Sequence, residues 1–308
     1  MTDPAEPTVI AWQPLTPRGV LAFAGAPWMC LFVVQFVFAF VAAVALVWFL
    51  RSAWFPTVRQ AISQLPDQGE MQSGKLNWTG GSPMLLAEGH FLAFVVDTNH
   101  SGTLRSPAQI QVEFGRNDIY FYSLAGYREW PYPPDWNFGF NHTDAQAWWG
   151  AWAPPIQWLA FGGMLAWCLA GWTGLATIYF FPVWLAALFA NRDLKLGQCW
   201  KLAGAALMPG AVLMILTIFS YGFGLLDLVQ LSVITGLHII LGWVYLVWCV
   251  RISPKVAAAA APSENPFVSR RAQSKNPFAS KAPKEAPSVQ HPSSREAPAS
   301  KLQNPPAR

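Results

Sequence analysis

Charge is what this chain has least of. Asp, Glu, Lys and Arg make up 12% of its 308 residues, about half the roughly 25% usual in soluble domains. From residue 156 to 190 there is none. With 53% hydrophobic residues, 17 Trp and 21 Phe, the shortage argues against a soluble globule and for a membrane protein. Cysteine is scarce as well. Cys30, Cys168, Cys199 and Cys249 lie in apolar stretches or at a membrane edge, and none falls in 51–155. No disulfide framework is expected there, and the four read as small apolar residues. Signature motifs are missing too. There is no HExxH, GxSxG, P-loop or GxGxxG, so no catalytic residue, metal ligand or cofactor is indicated. No nucleic-acid partner is expected. No Asp, Glu, Lys or Arg sits mid-span, where an ion-coupled transporter would usually need one.

What is present is a set of long apolar runs. Residues 28–50 are apolar except for Gln35, and roughly 20 such residues cross a bilayer. The run is too long for a signal-peptide core of about 7–15 residues and closes on no A-x-A site, so it reads as an uncleaved anchor. Residues 156–190 would make a helix of about 52 Å, against a hydrocarbon layer of about 30 Å. One span, kinked or ended near Pro182 and followed by an interfacial tail, fits better than two. Residues 202–222 and 232–250 give a third and a fourth span. Orientation follows from Lys and Arg in the loops. Loop 191–201 carries Arg192, Lys195 and Lys201. The tail 251–308 carries ten basic and three acidic residues, and segment 51–155 six basic and nine acidic. Both termini are therefore expected in the cytoplasm and 51–155 outside. Arg51 and Arg59, on the outer side of the first span, run against that assignment and are outvoted.

The outer segment changes period along its length. Val58, Ala61, Ile62 and Leu65 make one helical face, and Pro66 stops it. Then "GKLNWTGGSP" and "HFLAFVVDT" read as strands. "AQIQVEFGRNDIYFYSL" (108–124) alternates on both sides of "GRND", a hairpin signal. The expected fold is a four-helix membrane bundle with a small β-rich domain inserted between its first and second helices, after an N-terminal segment 1–27.

Three groups of residues invite a functional reading. "FVVDTNHSG" (94–102) ends an apolar run in polar side chains. Asp, Asn, Ser and Gly make turns, so Asp97 reads first as a turn former, with an active site the weaker alternative. The stretch 129–155 holds Trp130, Trp136, Trp148, Trp149 and Trp152. It reads as an aromatic belt at the outer interface. The sharper alternative is a carbohydrate platform, since Trp faces stack on the apolar faces of larger ligands. Within the spans, His238 and Gln35 are the main polar candidates, His238 as an interhelical hydrogen-bonding residue. Ala206 and Gly210 form a small-xxx-small pair suited to close helix packing or to a homo-oligomer.

"AISQLPDQGEMQSGKLNW", then "SPMLLAEGHFLAFVVDTNHSG" and a hairpin ending "YFYSLAGYREWPY", resembles a bacterial membrane-protein family known as domain of unknown function 1189. The likeness covers roughly residues 20–250. It implies a bacterial inner-membrane location and no catalytic residues. Some members are labelled maltodextrin-utilisation proteins, which implies a loose link to sugar uptake. The helical region also resembles the Yip-type group of integral membrane proteins. The Trp-rich stretch and the Pro-rich tail depart from the pattern.

From about residue 253 the composition collapses to Ala, Pro, Ser and Lys, the signature of disorder. "SENPFVS" (263–269) and "SKNPFAS" (274–280) repeat a unit that reads as drift or as a docking tail. Asn77, Asn99 and Asn141 stand in Asn-x-Ser/Thr sites, expected to be unused in a bacterium. The leading expectation is a non-enzymatic scaffold or accessory protein. Its outer domain would bind a partner or an envelope ligand. An accessory or permease-like role in sugar uptake comes second and an envelope enzyme third. The bilayer, a membrane-protein partner or a second copy are the partners expected.

Overall fold

The computed structural model describes residues 11–124 and 126–256; the repeated tail units lie outside them. A first helix, α1 (Pro17–Gly25), is capped by the Thr16 hydroxyl, which accepts from Gly19 N, and starts on a proline. Thr-Pro is a strong helix-start signal. α1 buries Val20 and Phe23 fully in the helical core.

α2 (Trp28–Phe49) does not end with its apolar run. It widens into a π-turn at Leu50–Trp54 and continues as α3 (Phe55–Ser63). Pro56 explains the widening. A proline cannot donate to the carbonyl four residues back and its ring crowds it. An inserted π-turn relieves that clash without breaking the rod. The Ser52 hydroxyl instead bonds back to Trp48 O at 2.8 Å.

β1 (Gly69–Gln72), β2 (Lys75–Trp78) and β8 (Phe138–Gly139) form a three-stranded sheet, ordered β2-β1-β8. A five-stranded sheet is made of β3 (Met84–Glu88), β4 (Leu92–Val96), β5 (Ile110–Phe114), β6 (Asp118–Ser123) and β7 (Gly126–Pro131), in that order. The expected β5–β6 hairpin is present, with Val112 opposite Phe121 and Phe114 opposite Ile119. β4 and β5, however, are parallel, joined by the irregular segment 97–109. One face of this sheet packs Phe94, Val96, Phe114 and Ile119 against Ala61 of α3, Leu65 just past its end, and Met71 and Leu76 of the small sheet.

α4 (His142–Phe189) is a single helix of 48 residues. The Asn141 side chain caps it, accepting from Asp144 N at 2.9 Å, and Asp144 suits the positive end of the dipole. Two expectations are corrected here. The helix that holds the expected second span, 156–190, begins earlier, at His142, so Trp148, Trp149 and Trp152 are helical. It also runs through Pro154, Pro155 and Pro182 without ending. The expected third span is two helices, α5 (Leu196–Ala206) and α6 (Met208–Gly222), meeting at Leu207 just before Pro209. Helix α5 takes in most of the expected loop 191–201. α7 (Leu228–Ile252) opens on an Asp227/Gln230 capping box. Four helical stretches, 28–63, 142–189, 196–222 and 228–252, are long and apolar enough to cross a membrane.

Candidate functional site

Two faces of the five-stranded sheet carry the functional candidates. On the first, strand alternation turns Gln111 and Glu113 away from the apolar Val112 and Phe114. Segment 97–109 folds over this side. Glu113 is fully buried and is held from several directions. Arg105 donates from Nη1 to its Oε2 at 3.1 Å. His100 Nδ1 lies 2.8 Å from its Oε1, and Gln111 Nε2 donates to Oε2 at 3.4 Å. The Arg105 guanidinium sits 3.9 Å over the Tyr122 ring, a cation–π contact. The His100 ring stacks on Tyr120 at 4.2 Å. Gln111 also takes a bond from Ser106 N, and Ser106 Oγ reaches Glu88 at 2.6 Å.

Asp97 starts this crossover. Its carboxylate accepts from Ser101 Oγ at 2.8 Å and from Gly102 N at 3.1 Å, and His100 and Gly102 take left-handed φ of 50° and 67°. Burial acts to raise the Asp97 pKa. The Ser101 hydroxyl and the amides of Gly102, Ser101 and Asn99 outweigh it and hold the group below its ordinary 3.8. This is the chemistry of a locked turn. The Ser101 hydroxyl is engaged by Asp97 and Thr103, while His100 is turned to Glu113. The Ser101 hydroxyl and the His100 ring thus turn to different carboxylates. Among the described residues no three His, Cys, Asp or Glu converge on a metal-sized site.

The opposite, apolar face ends in a cleft of about 930 Å³. Val58 and Ile62 of α3 form one wall, on the helical face expected from their spacing; Leu65, expected on that face, lies past the helix end at Ser63 and lines the cleft from there. Phe94 and Phe114 form the floor, Phe138 and Phe140 another side, and Trp148 of α4 stands at the edge with Trp136. Asp144, bonded by Asn141 Nδ2 at 2.8 Å, supplies one of its few polar groups. The cleft is large enough and apolar enough for a small ligand or a hydrophobic side-chain cluster.

The structure thus brings together Trp136 and Trp148 and leaves Trp130 out. Trp130 is on β7, 67% exposed and away from the cleft. The two polar candidates on the apolar helices do not meet either. Gln35 faces Gly204 of α5. It is 1% exposed, and neither its amide nitrogen nor its oxygen has a hydrogen-bond partner. His238 was expected to bond between helices. Its Nδ1 instead contacts Thr235 O in its own helix. Its backbone is what the neighbouring helix meets, since a Cβ on Gly210 would lie 2.5 Å from His238 O. The Ala206/Gly210 pair therefore serves packing within the chain. Residues that the sequence reading passed over are Glu113, Arg105 and Tyr122. The one signal for them was polar alternation in "IQVEF".

No protein-family model, curated protein or solved structure matches this chain.

Proposed function

We propose that this chain is a membrane-anchored binding protein, a scaffold or accessory subunit without catalytic chemistry of its own. Its outer domain would hold an apolar ligand or an apolar segment of a partner. The observation that carries this reading is the cleft between α3, α4 and the two sheets, with Trp136 and Trp148 at its edge. Exposed aromatic side chains around an apolar pocket are what hot-spot recognition uses. The two helices that wall the cleft continue the apolar helices α2 and α4, which fits an outer domain standing on its anchors. In this reading the four apolar stretches cross a bacterial inner membrane and leave both termini in the cytoplasm. The crossover network around Glu113 keeps the sheet in shape. The sugar-uptake reading rests on the family resemblance; the Trp faces at the cleft suit stacking on a sugar, but its lining is otherwise mostly apolar.

The test is capture of the tagged full chain from its native host in mild detergent, beside an Ala145→Trp variant that fills the cleft from α4. A component that co-purifies in fixed ratio with wild type and falls at least about tenfold with the variant is the expected result. Identical co-purification by the two proteins, each folded by its melting curve, would remove the cleft from the binding site.

A further inference from the structure

A second groove runs along the seam between α2 and α4. Its lower part, about 820 Å³, is walled by Phe40, Val44 and Val47 of α2 and by Trp158 and Phe161 of α4. The Phe40 and Phe161 rings meet edge to face at 5.5 Å and close its inner end. At the other end the lining turns polar, with Arg51, Ser52 and Gln157. A further pocket of about 550 Å³ continues it past Pro154 and Gln157 and adds Arg59, His142 and Gln146. The lining is thus graded along one axis, from aromatic and aliphatic to cationic and amide.

Three features name the occupant. From Phe40 to Arg51 is eleven residues, about 16 Å along a helix, which matches half of a hydrocarbon layer of about 30 Å. The apolar length therefore fits the depth of a single leaflet. Next, Arg51 and Arg59 are exposed, and the ion pairs among the described residues both go to Glu113, leaving these two guanidiniums without a carboxylate. Finally, they stand on the side that the loop charges assign to the outside. They are the basic residues that run against the orientation rule, and a ligand role accounts for their place there.

We infer that this groove binds an anionic phospholipid of the outer leaflet. One acyl chain lies along Phe40, Val44 and Phe161, the phosphate meets Arg51, and Arg59 and Gln146 face the headgroup. A planar guanidinium matches a phosphate with paired N–H donors. The inference rests on the reading that α2 and α4 cross a bilayer, and it concerns a site separate from the outer-domain cleft.

Native mass spectrometry of the full chain in mild detergent tests it. The probes are phosphatidylglycerol and phosphatidylcholine with the same acyl chains, offered at equal concentration. Wild type should retain phosphatidylglycerol in preference. Arg51→Gln should lower that preference about fivefold, the effect of one interfacial charge, and Arg51→Lys should keep most of it. Val44→Trp, which fills the apolar part, should lower retention of both lipids. Arg128→Gln on the exposed strand β7 should change nothing. Unchanged preference in Arg51→Gln, or unchanged retention in a folded Val44→Trp, overturns the inference. So does a stable dimer that binds neither lipid, because a second copy would then fill the seam. If cell fractionation recovers the chain without detergent, the membrane reading fails first and the inference falls with it.

Discussion

Two polar side chains are buried almost equally in this molecule, and their surroundings are opposite. Glu113, in the outer sheet, is met by Arg105, His100 and Gln111. Gln35, in the helical bundle beside Gly204, has no hydrogen-bond partner for either end of its amide. A buried polar group costs free energy unless it is bonded. Satisfied, it fixes one arrangement of its neighbours; unsatisfied, it weakens the fold around it. The β-rich domain is thus held in register by polar contacts that specify a single crossover. The bundle is held by close approach of small residues, as at Gly204 and Gly210, and tolerates a group that contributes nothing to its stability.

The largest expected effect breaks the satisfied side. Glu113→Ala leaves Arg105 and Gln111 facing a hole, and should destabilise the outer domain by about 2–4 kcal/mol. Denaturant unfolding of the full chain, followed by near-ultraviolet signal from the tyrosines, measures it. A loss within experimental error of zero would show that the crossover is held by something else. The next effect is smaller and depends on pH. The Asp97 carboxyl lies below its ordinary value in the fold, so the unfolded chain binds more protons as pH falls. The stability it contributes is present above its ordinary 3.8 and is lost as pH drops through the folded value. Asp97→Asn should flatten that part of the stability-versus-pH curve. Equal slopes in the two proteins would count against the locked turn. The smallest effect has the other sign. Gln35→Met removes two unbonded polar atoms at similar volume and should raise stability by about 1 kcal/mol, read as a higher melting temperature in detergent. A lower one would mean that Gln35 has a partner in the membrane and that the contrast with Glu113 is false.

The elements that were legible from the residues share a cause: their signals are local. The alternation of "IQVEF" and "IYFYS" gave the β5–β6 hairpin. The spacing of Val58, Ala61 and Ile62 gave a helical face that the cleft uses, although α3 ends at Ser63 and leaves Leu65 just beyond it. The polar end of "FVVDTNHSG" gave the turn at Asp97. The misreadings came from competing local signals or from distant ones. Asn141 and Asp144 formed an adequate helix start, but the aromatic-belt reading of 129–155 hid it. Parallel pairing of β4 with β5 leaves no mark in either strand, because it is decided by where 97–109 folds. The cleft takes residues from positions 58 to 148, and no window along the chain contains it. Trp130, Trp136 and Trp148 looked alike as letters. Only the fold separates the one on the edge strand from the two at the cleft.

Helix α4 is unbroken over 48 residues, about 72 Å at 1.5 Å per residue. That makes it a lever. Tilting such a rod by roughly 5°, well within the range transmembrane helices adopt as bilayer thickness changes, swings one end about 6 Å relative to the other. On the reading that α4 crosses a bilayer, its N-terminal arm carries Trp148, and a change in membrane thickness is expected to open or narrow the cleft with no messenger other than the helix itself.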